Sequence, residues 1–378
     1  MEYHKIKILF LIHDLGHGGA ERVLVNLVNN MDHDRFDITV MSLFSGGVNE
    51  QFISNKVTYK AFFKHRIPGN SRLMLLFSPE YLHNYFIKEH YDIEISYLEG
   101  PCTRIISGCK DKNTHLVAWL HSDFSKELNN PFASFRNPNE AIIAYKKFDK
   151  VVGVSRQVIE DFLKFYPNVK SSCIIYNTND TEKILKKANE AVENGLFSIN
   201  KVNFISAGKL TAVKSFERLL RAIGEIIFNH LTSMEFHLYI LGKGEDEEKL
   251  NGLSKQLNIE DYVTFLGFKE NPYKYIKKAD VYICSSLREG FSTAVTEALI
   301  LGKPVVTTNI SGMDELLGNN NEHGLLVENS VDGIKNGILN MLNKEVREHY
   351  THKAVDRGKV FSTQKTVSTV QEMLFNLG

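Results

Sequence analysis

Two carboxylates, Glu289 and Glu297, stand eight residues apart in the stretch Arg288-Glu289-Gly290-Phe291-Ser292-Thr293-Ala294-Val295-Thr296-Glu297. An apolar run, Val281–Cys284, precedes it and reads as a buried strand. Gly290 permits a sharp turn, Ser292 or Thr293 can cap the helix that follows, and Gly302 ends that helix. Glu289 then lies in the loop, and Glu297 lies about one turn inside the helix, near its positive end. Placed so, both carboxylates can flank one ligand and accept paired hydrogen bonds from sugar or ribose hydroxyls. The plainer alternative is a solvated loop glutamate and a helix surface charge.

A second cluster, Gly208-Lys209-Leu210-Thr211-Ala212-Val213-Lys214, carries two lysines five apart in a strand-to-helix loop. Two point charges beside the backbone donors of a helix start can converge on one polyanion; the alternative is a pair of solvated lysines. Nearer the start, Gly16-His17-Gly18-Gly19-Ala20 joins an apolar run to a helical pattern, a place where backbone N–H groups can approach an anion. It fails the six-residue dinucleotide fingerprint, because position 21 is Glu rather than Gly, and this disfavours a nicotinamide-dependent dehydrogenase. His121 follows the run Leu116–Leu120 and reads either as a buried loop histidine or as a site residue. Asp32-His33-Asp34 is a literal acidic triplet, but it sits at the end of a helical pattern before a strand and reads as a solvated turn. No metal and no cofactor are expected.

The elements that must position these residues repeat a single theme. Ile6–Ile12, Ile38–Leu43, Ile93–Tyr97, Leu116–Leu120 and Lys150–Val154 are near-continuous apolar runs with helical segments between them, such as Ala20–Asn30. Strands buried on both faces and alternating with helices make a parallel, doubly wound α/β sheet. The theme restarts at Val202–Ser206 and continues through Phe236–Leu241, which ends at Gly242-Lys243-Gly244, then Val263–Leu266, Val281–Cys284 and Pro304–Thr307. The polar segment Thr181–Asn194 suits a link between the two halves. The expected division is 1–180 and 181–359, with a C-terminal helix, 360–378, returning to the first domain.

The chain has 378 residues, enough for two such domains. Lys+Arg and Asp+Glu number 45 each, so no global basic field exists for binding nucleic acid. Cys102, Cys109, Cys173 and Cys284 have no CxxC spacing and read as reduced core thiols. The first apolar run is short for a signal peptide, and no stretch reaches the ~20 apolar residues of a spanning helix. A cytoplasmic protein is expected, at most peripheral on the inner face of the cell membrane.

Taken in order, Gly18-Gly19-Ala20-Glu21-Arg22, the two-lysine loop, Gly242-x-Gly244, Val263-Thr-Phe-Leu-Gly267 and Glu289-(seven residues)-Glu297 resemble retaining glycosyltransferase family 4, of the GT-B fold. The resemblance runs from the first strand to about Leu326 and extends to bacterial capsular and exopolysaccharide enzymes. It implies two Rossmann-like domains facing across a cleft, the first for the acceptor and the second for a nucleotide diphosphate sugar, with UDP favoured on family frequency. It also implies roles. Gly18 and Gly19 approach the donor phosphates and sugar. Lys209 and Lys214 hold the diphosphate, where many relatives have Arg at the position of Lys209. Gly242 and Gly244 belong to the donor site, and Leu266, Gly267 and Phe268 to the loop under the nucleobase. Glu289 contacts the transferred sugar, and Phe291, Ser292 and Thr293 supply backbone donors. Glu297 binds the ribose, His121 contacts the donor sugar, and Asn177 supports the hinge. No nucleophile is placed opposite a second acid, and the resemblance implies a reaction on one face, in which the leaving diphosphate would take the acceptor's proton while cations and a helix N-terminus stabilise its charge.

The segment 56–90 interleaves Lys56, Lys60, Lys64, Arg66, Arg72 and Lys88 with Phe62, Phe63, Leu73, Met74, Leu75, Leu76 and Phe77. Such a mixture suits an anionic membrane surface, or else a core with solvated charges. The resemblance adds a polyprenyl-diphosphate-linked glycan as the expected acceptor. The alternatives to a transferase are a sugar-nucleotide 2-epimerase and a non-catalytic nucleotide-sugar-binding protein.

Overall fold

The computed structural model describes residues 5–16, 18–65, 70–121, 132–289 and 291–377. His17 of the first glycine loop, Arg66 of the basic segment and Gly290 of the acidic motif lie outside the described residues. The chain divides into two compact units, 1–179 with 363–378, and 180–362.

Unit 1 is built on seven strands: β1 Ile6–Ile12, β2 Phe36–Phe44, β3 Thr58–Phe63, β4 Ile93–Ser96, β5 His115–Leu120, β6 Lys150–Gly153 and β7 Ser172–Ile174. They are ordered β3-β2-β1-β4-β5-β6-β7 with parallel pairing throughout. The central strand β1 is fully covered from Ile8 to Ile12, as its unbroken apolar sequence requires. The helix Gly19–Asn30 packs Val23, Leu24, Leu27 and Val28 inward. The last helix, Thr363–Phe375, lies in this unit: the Gln371 side chain accepts the Asp32 N–H at 2.5 Å, and the Arg35 guanidinium covers the Phe375 ring at 4.5 Å.

Unit 2 has six strands: β8 Val202–Ala207, β9 Phe236–Leu241, β10 Val263–Gly267, β11 Val281–Cys284, β12 Val305–Thr308 and β13 Leu325–Val327. The order is β10-β9-β8-β11-β12-β13, again parallel. Its core joins the inner strands to Leu219, Leu220, Ile223 and Ile226 of the helix Phe216–Phe228 and to Ile334 and Ile338 of the helix Val331–Leu342. Each such aliphatic side chain contributes about 1.5–3 kcal/mol on burial.

The short strands differ from the sequence reading. Short strands β3, β7 and β13 escaped it, since three to six half-buried residues carry too little apolar periodicity. Thr181–Asn194 begins as the helix Thr181–Lys187, in keeping with its composition, and is bonded to the 271–278 region, through Asn271 Nδ2 to Lys187 O at 2.9 Å and Tyr275 OH to Glu193 Oε1 at 2.8 Å. The acidic triplet closes a turn, where Asp32 Oδ1 accepts the Asp34 N–H at 2.9 Å. All four cysteines are free.

Candidate active site

In unit 2 the strand order reverses between β8 and β11, so the loops after those strands, 208–215 and 285–292, leave the sheet side by side. In open parallel sheets ligands bind at this place. The two loops are stitched together: the Leu287 N–H donates to Val213 O at 2.8 Å, and Ser285 Oγ to Lys214 O at 2.9 Å. On this platform the Lys214 ammonium donates to Glu289 Oε1, and Ser286 Oγ donates to the same oxygen at 2.8 Å. Glu289 Oε2 has no partner among the described residues. Arg218 braces the platform from behind, donating to Ser285 O at 2.8 Å, Ser215 Oγ at 2.8 Å and Asn329 Oδ1 at 2.7 Å. Ser215 itself holds the left-handed conformation, at φ 51°, an uncommon state for a residue with a side chain. Lys214, Ser285, Ser286, Glu289 and Ser292 line one concavity with Tyr282 and Cys284.

Partial burial by itself would lower the Lys214 pKa, but the Glu289 carboxylate, with the Cys284 thiol nearby, raises it above its ordinary value. The lysine therefore stays charged in a shielded position. Lys209 is exposed and has no partner among the described residues. The two lysines expected to converge thus differ: Lys214 is paired with Glu289, and Lys209, near the start of the loop, has no partner among the described residues.

Gly242 and Gly244 have a steric reason for being glycine. A Cβ at Gly242, where φ is 138°, would lie 1.9 Å from Gly208 O, and one at Gly244 would lie 2.1 Å from Leu210 O. The loop after β9 therefore presses directly on the lysine loop, with the Leu210 N–H bonded to Lys243 O at 3.0 Å. Leu266, Gly267 and Phe268 continue along the same edge at the end of β10, with the Phe268 ring 63% exposed. On the other side, Ser292 caps the helix Thr293–Ile300 by accepting the Val295 N–H at 3.4 Å, and Phe291 is buried edge-on against Phe361. The Ser292 hydroxyl and the Phe291 ring are thereby committed to structure. Glu297 is buried and accepts from Tyr273 OH at 3.2 Å.

Two family models match the chain, "Glycosyltransferase Family 4" over residues 17–183 and "Glycosyl transferases group 1" over residues 188–358. Among similar proteins is a Campylobacter jejuni N-acetylgalactosamine-N,N'-diacetylbacillosaminyl-diphospho-undecaprenol 4-alpha-N-acetylgalactosaminyltransferase, 28% identical over 95% of this chain and 96% of its own length. An uncharacterized glycosyltransferase of Haemophilus influenzae is 24% identical over 89% of this chain and 90% of its own. The chain belongs to the GT-B glycosyltransferases. Solved structures agree on the fold. Anabaena Alr3699/HepE, in complex with UDP and glucose, superposes with a TM-score of 0.77 at 18% identity, covering 98% of this chain and 100% of that one.

Unit 1 of this glycosyltransferase has its own reversal, between β1 and β4. The glycine loop after β1 is already supplied with carboxylates: Asp14 accepts the Gly16 N–H at 2.9 Å and contacts His13 Nδ1 at 2.7 Å. The Glu21 carboxylate occupies the space where a Gly18 side chain would stand, 1.9 Å from that position. Gly18 and Gly19 therefore open the helix start, and in this state the protein's own acid fills it. His121 ends β5; its backbone N–H is held by Glu99 Oε1 at 2.5 Å, and its Nε2 is buried without a partner. Burial lowers its pKa to about 3, so the ring is neutral. Asn177 is buried near the end of this unit's main segment. The sequence reading missed Ser286, Arg218, Asp14 and Tyr97. Ser286 and Tyr97 share one available signal, a polar group within two residues of the end of an apolar strand.

Proposed function

We propose that this protein is a retaining transferase moving a hexose or N-acetylhexosamine from a nucleotide diphosphate donor, UDP being favoured, to a lipid-linked glycan in cell-surface polysaccharide biosynthesis. The observation that carries this reading is the Lys214–Glu289–Ser286 constellation at the reversal point of unit 2, with Lys209 exposed on the same loop and without a partner among the described residues. A diphosphate entering here meets one unpaired lysine, one shielded lysine and the start of the helix Thr293–Ile300, which together offset charge growing on the leaving group. Glu289 Oε2 can accept from a sugar hydroxyl while Oε1 keeps Lys214 oriented. In the step envisaged, the bond from the anomeric carbon to the diphosphate breaks as the acceptor oxygen bonds on the same face. The departing phosphate oxygen takes the acceptor's proton. Cationic side chains supply the compensation, and the reading assigns no role to a metal.

The name of the Campylobacter jejuni relative supports a diphospho-undecaprenol acceptor, and the Anabaena complex supports UDP. No helix among the described residues is long and apolar enough to cross a membrane. An exposed apolar turn in unit 1 supports the reading of a lipid-linked acceptor. Leu73, Leu76, Phe77, Tyr81 and Tyr85 are 54, 74, 44, 54 and 44% exposed, with Phe77–Tyr81 stacked at 5.0 Å and Tyr81–Tyr85 at 6.3 Å. The buried Arg104 fixes this apolar turn through Met74 O at 2.8 Å and Phe77 O at 2.6 Å, and Arg136 through Leu75 O at 2.8 Å. Exposed Arg72 and Lys88 flank it, a composition that fits an anionic lipid surface. Part of the segment serves the fold instead: Lys60 pairs with Glu89 at 2.6 Å, and Phe62 and Phe63 pack on Phe86.

The test is nucleotide release from a panel of UDP- and GDP-sugars in EDTA, with and without membrane lipid extract. Release from one donor that rises with lipid and is lost in Glu289→Ala supports the reading. Inversion at the anomeric carbon of the product, or a requirement for divalent metal, overturns the corresponding part. Conversion of the donor to an isomer without transfer replaces the reading with an epimerase.

A further inference from the structure

Glu94 is the one charged residue of β4, a strand with neighbours on both sides, and it is 2% exposed. A carboxylate at that depth is strongly disfavoured unless a cation or a set of donors answers it. Its Oε2 meets His83 Nε2 at 2.8 Å, on the buried face of the helix Pro79–Phe86. A third group, Cys109, stands in the turn after the helix Pro101–Ile106. One donor atom from each of His83, Glu94 and Cys109 lies within 4.8 Å of the other two.

These donors are held by rigid elements. A Cβ at Gly108 would lie 2.0 Å from Pro79 O, so the residue beside Cys109 presses on the first turn of the helix that carries His83. The Cys109 N–H donates to Ile106 O at 3.0 Å, and Lys147 braces the same turn through Ser107 O at 2.7 Å. The pairing with Glu94 uses one imidazole nitrogen. The other, Nδ1, is buried without a hydrogen-bond partner, although the Cys109 sulfur is near enough to act on the charge of the ring. Folded proteins pair nearly all buried polar atoms, so this nitrogen calls for an explanation. His83 and Cys109 each keep 9% exposure, which leaves a way in from solvent.

The donor set selects a class of ligand. An imidazole, a thiolate and a carboxylate together suit a borderline-soft dication such as Zn²⁺, whereas Mg²⁺ and Ca²⁺ take oxygen ligands and would leave the sulfur unused. Neighbouring donors of a four-coordinate zinc ion stand about 3.3–3.8 Å apart. The three side chains reach that spacing by shifts of roughly 1 Å or less, with water as the fourth ligand. The charges also close: a dication beside one carboxylate, one thiolate and a neutral imidazole sums to zero. The ion displaces two protons, one from the ring and one from the thiol, and only the ion-free chain keeps His83 protonated.

We propose that His83, Glu94 and Cys109 bind one zinc-class divalent ion, which ties the helix Pro79–Phe86 to β4 and to the 107–109 turn. The same helix carries the exposed Tyr81 and Tyr85, so the ion steadies the apolar surface they form. Glu94 precedes Tyr97 by three residues, roughly 10 Å along the strand and away from the carboxyl-edge loops. The ion is therefore structural, and the proposal does not rest on the transferase reading.

The test uses the full chain after dialysis against EDTA and removal of the chelator. Zn²⁺ should bind at one ion per chain and raise the melting temperature by about 5–10 °C at a hundredfold excess over the Kd. Co²⁺ should give the thiolate-to-metal absorption band of a sulfur ligand. Cys109→Ser should lose both the band and the Zn²⁺ shift. Glu94→Gln should weaken Zn²⁺ binding at least about tenfold, and it keeps the test open if Cys109→Ser does not fold. No uptake by the wild type overturns the proposal. So does uptake without the thiolate band, or uptake that survives in Cys109→Ser, which places the ion on exposed groups such as His90 and Asp111. Donor turnover gives a separate reading. The ion-free chain should turn over donor normally at temperatures well below its melting point, and a rate restored only by Zn²⁺ overturns the structural assignment. A wild type that turns over no donor sinks the transferase reading and leaves the binding and absorption measurements intact.

Discussion

At the carboxyl edge of unit 2, Lys214, Ser286 and Glu289 satisfy one another and Arg218 ties their loop in place. At the corresponding edge of unit 1, Tyr97 and His121 are neutral, and the Tyr97 hydroxyl and His121 Nε2 have no partner among the described residues. The first arrangement holds an ionised lysine beside its carboxylate. The second is uncharged, since burial disfavours the charged forms of both rings. The same doubly wound architecture therefore supports opposite electrostatics, decided by the two or three side chains that follow each strand.

The contrast breaks most visibly at Lys214. Lys214→Ala leaves the partly buried Glu289 without its cation, and donor turnover should fall at least about a hundredfold, in the range of a lost electrostatic stabiliser, with about 1–2 kcal/mol lost in urea unfolding. Turnover within a few-fold of wild type would show that the pair is only structural. Next, Gly242→Ala should cost roughly 2 kcal/mol or more and lower donor affinity indirectly, because the added Cβ meets Gly208 O under the lysine loop. Lys209→Ala, by contrast, should leave unfolding within about 0.5 kcal/mol of wild type while weakening donor binding in a salt-dependent way.

Two histidines of unit 1 sharpen the comparison through pH. Burial would lower the His83 pKa, but the Cys109 thiol and the Glu94 carboxylate, 2.8 Å away, hold it up at about 9. Its stabilising contribution is complete below the unfolded value near 6.5 and is lost as pH rises through 9. His121 has the opposite sign. Between pH 6.5 and about 3 the unfolded chain binds a proton that the folded chain refuses, so stability falls as pH falls. Thermal melts across pH should therefore show a weakened acid-side loss in His121→Gln and a weakened alkaline-side loss in His83→Gln. The smallest effect on stability is expected at Leu76→Asp, which should weaken sedimentation with anionic lipid vesicles and leave the melting temperature unchanged, because Leu76 is 74% exposed.

Much of this protein is legible in one dimension. Near-continuous apolar runs such as Ile6–Ile12 specify strands covered on both faces, as in a parallel sheet with helices on either side. The spacing of Lys209, Lys214, Glu289 and Glu297, each after such a strand, marked the loops that the reversal of strand order brings together. What the sequence could not state is who bonds to whom. That Lys214 and Glu289, 75 residues apart, share one oxygen with Ser286 depends on β8 and β11 being neighbours. That Gly242 and Gly244 serve to let one loop press on another depends on distances between backbones. The division of segment 56–90 into core, ion pair and exposed apolar turn was fixed by Arg104 and Arg136, which are remote in sequence. Hydrophobic period and turn chemistry are local properties and so are written along the chain; electrostatic pairing and orphaned polar atoms arise only when folding removes water and sets distant side chains within a few ångströms of each other.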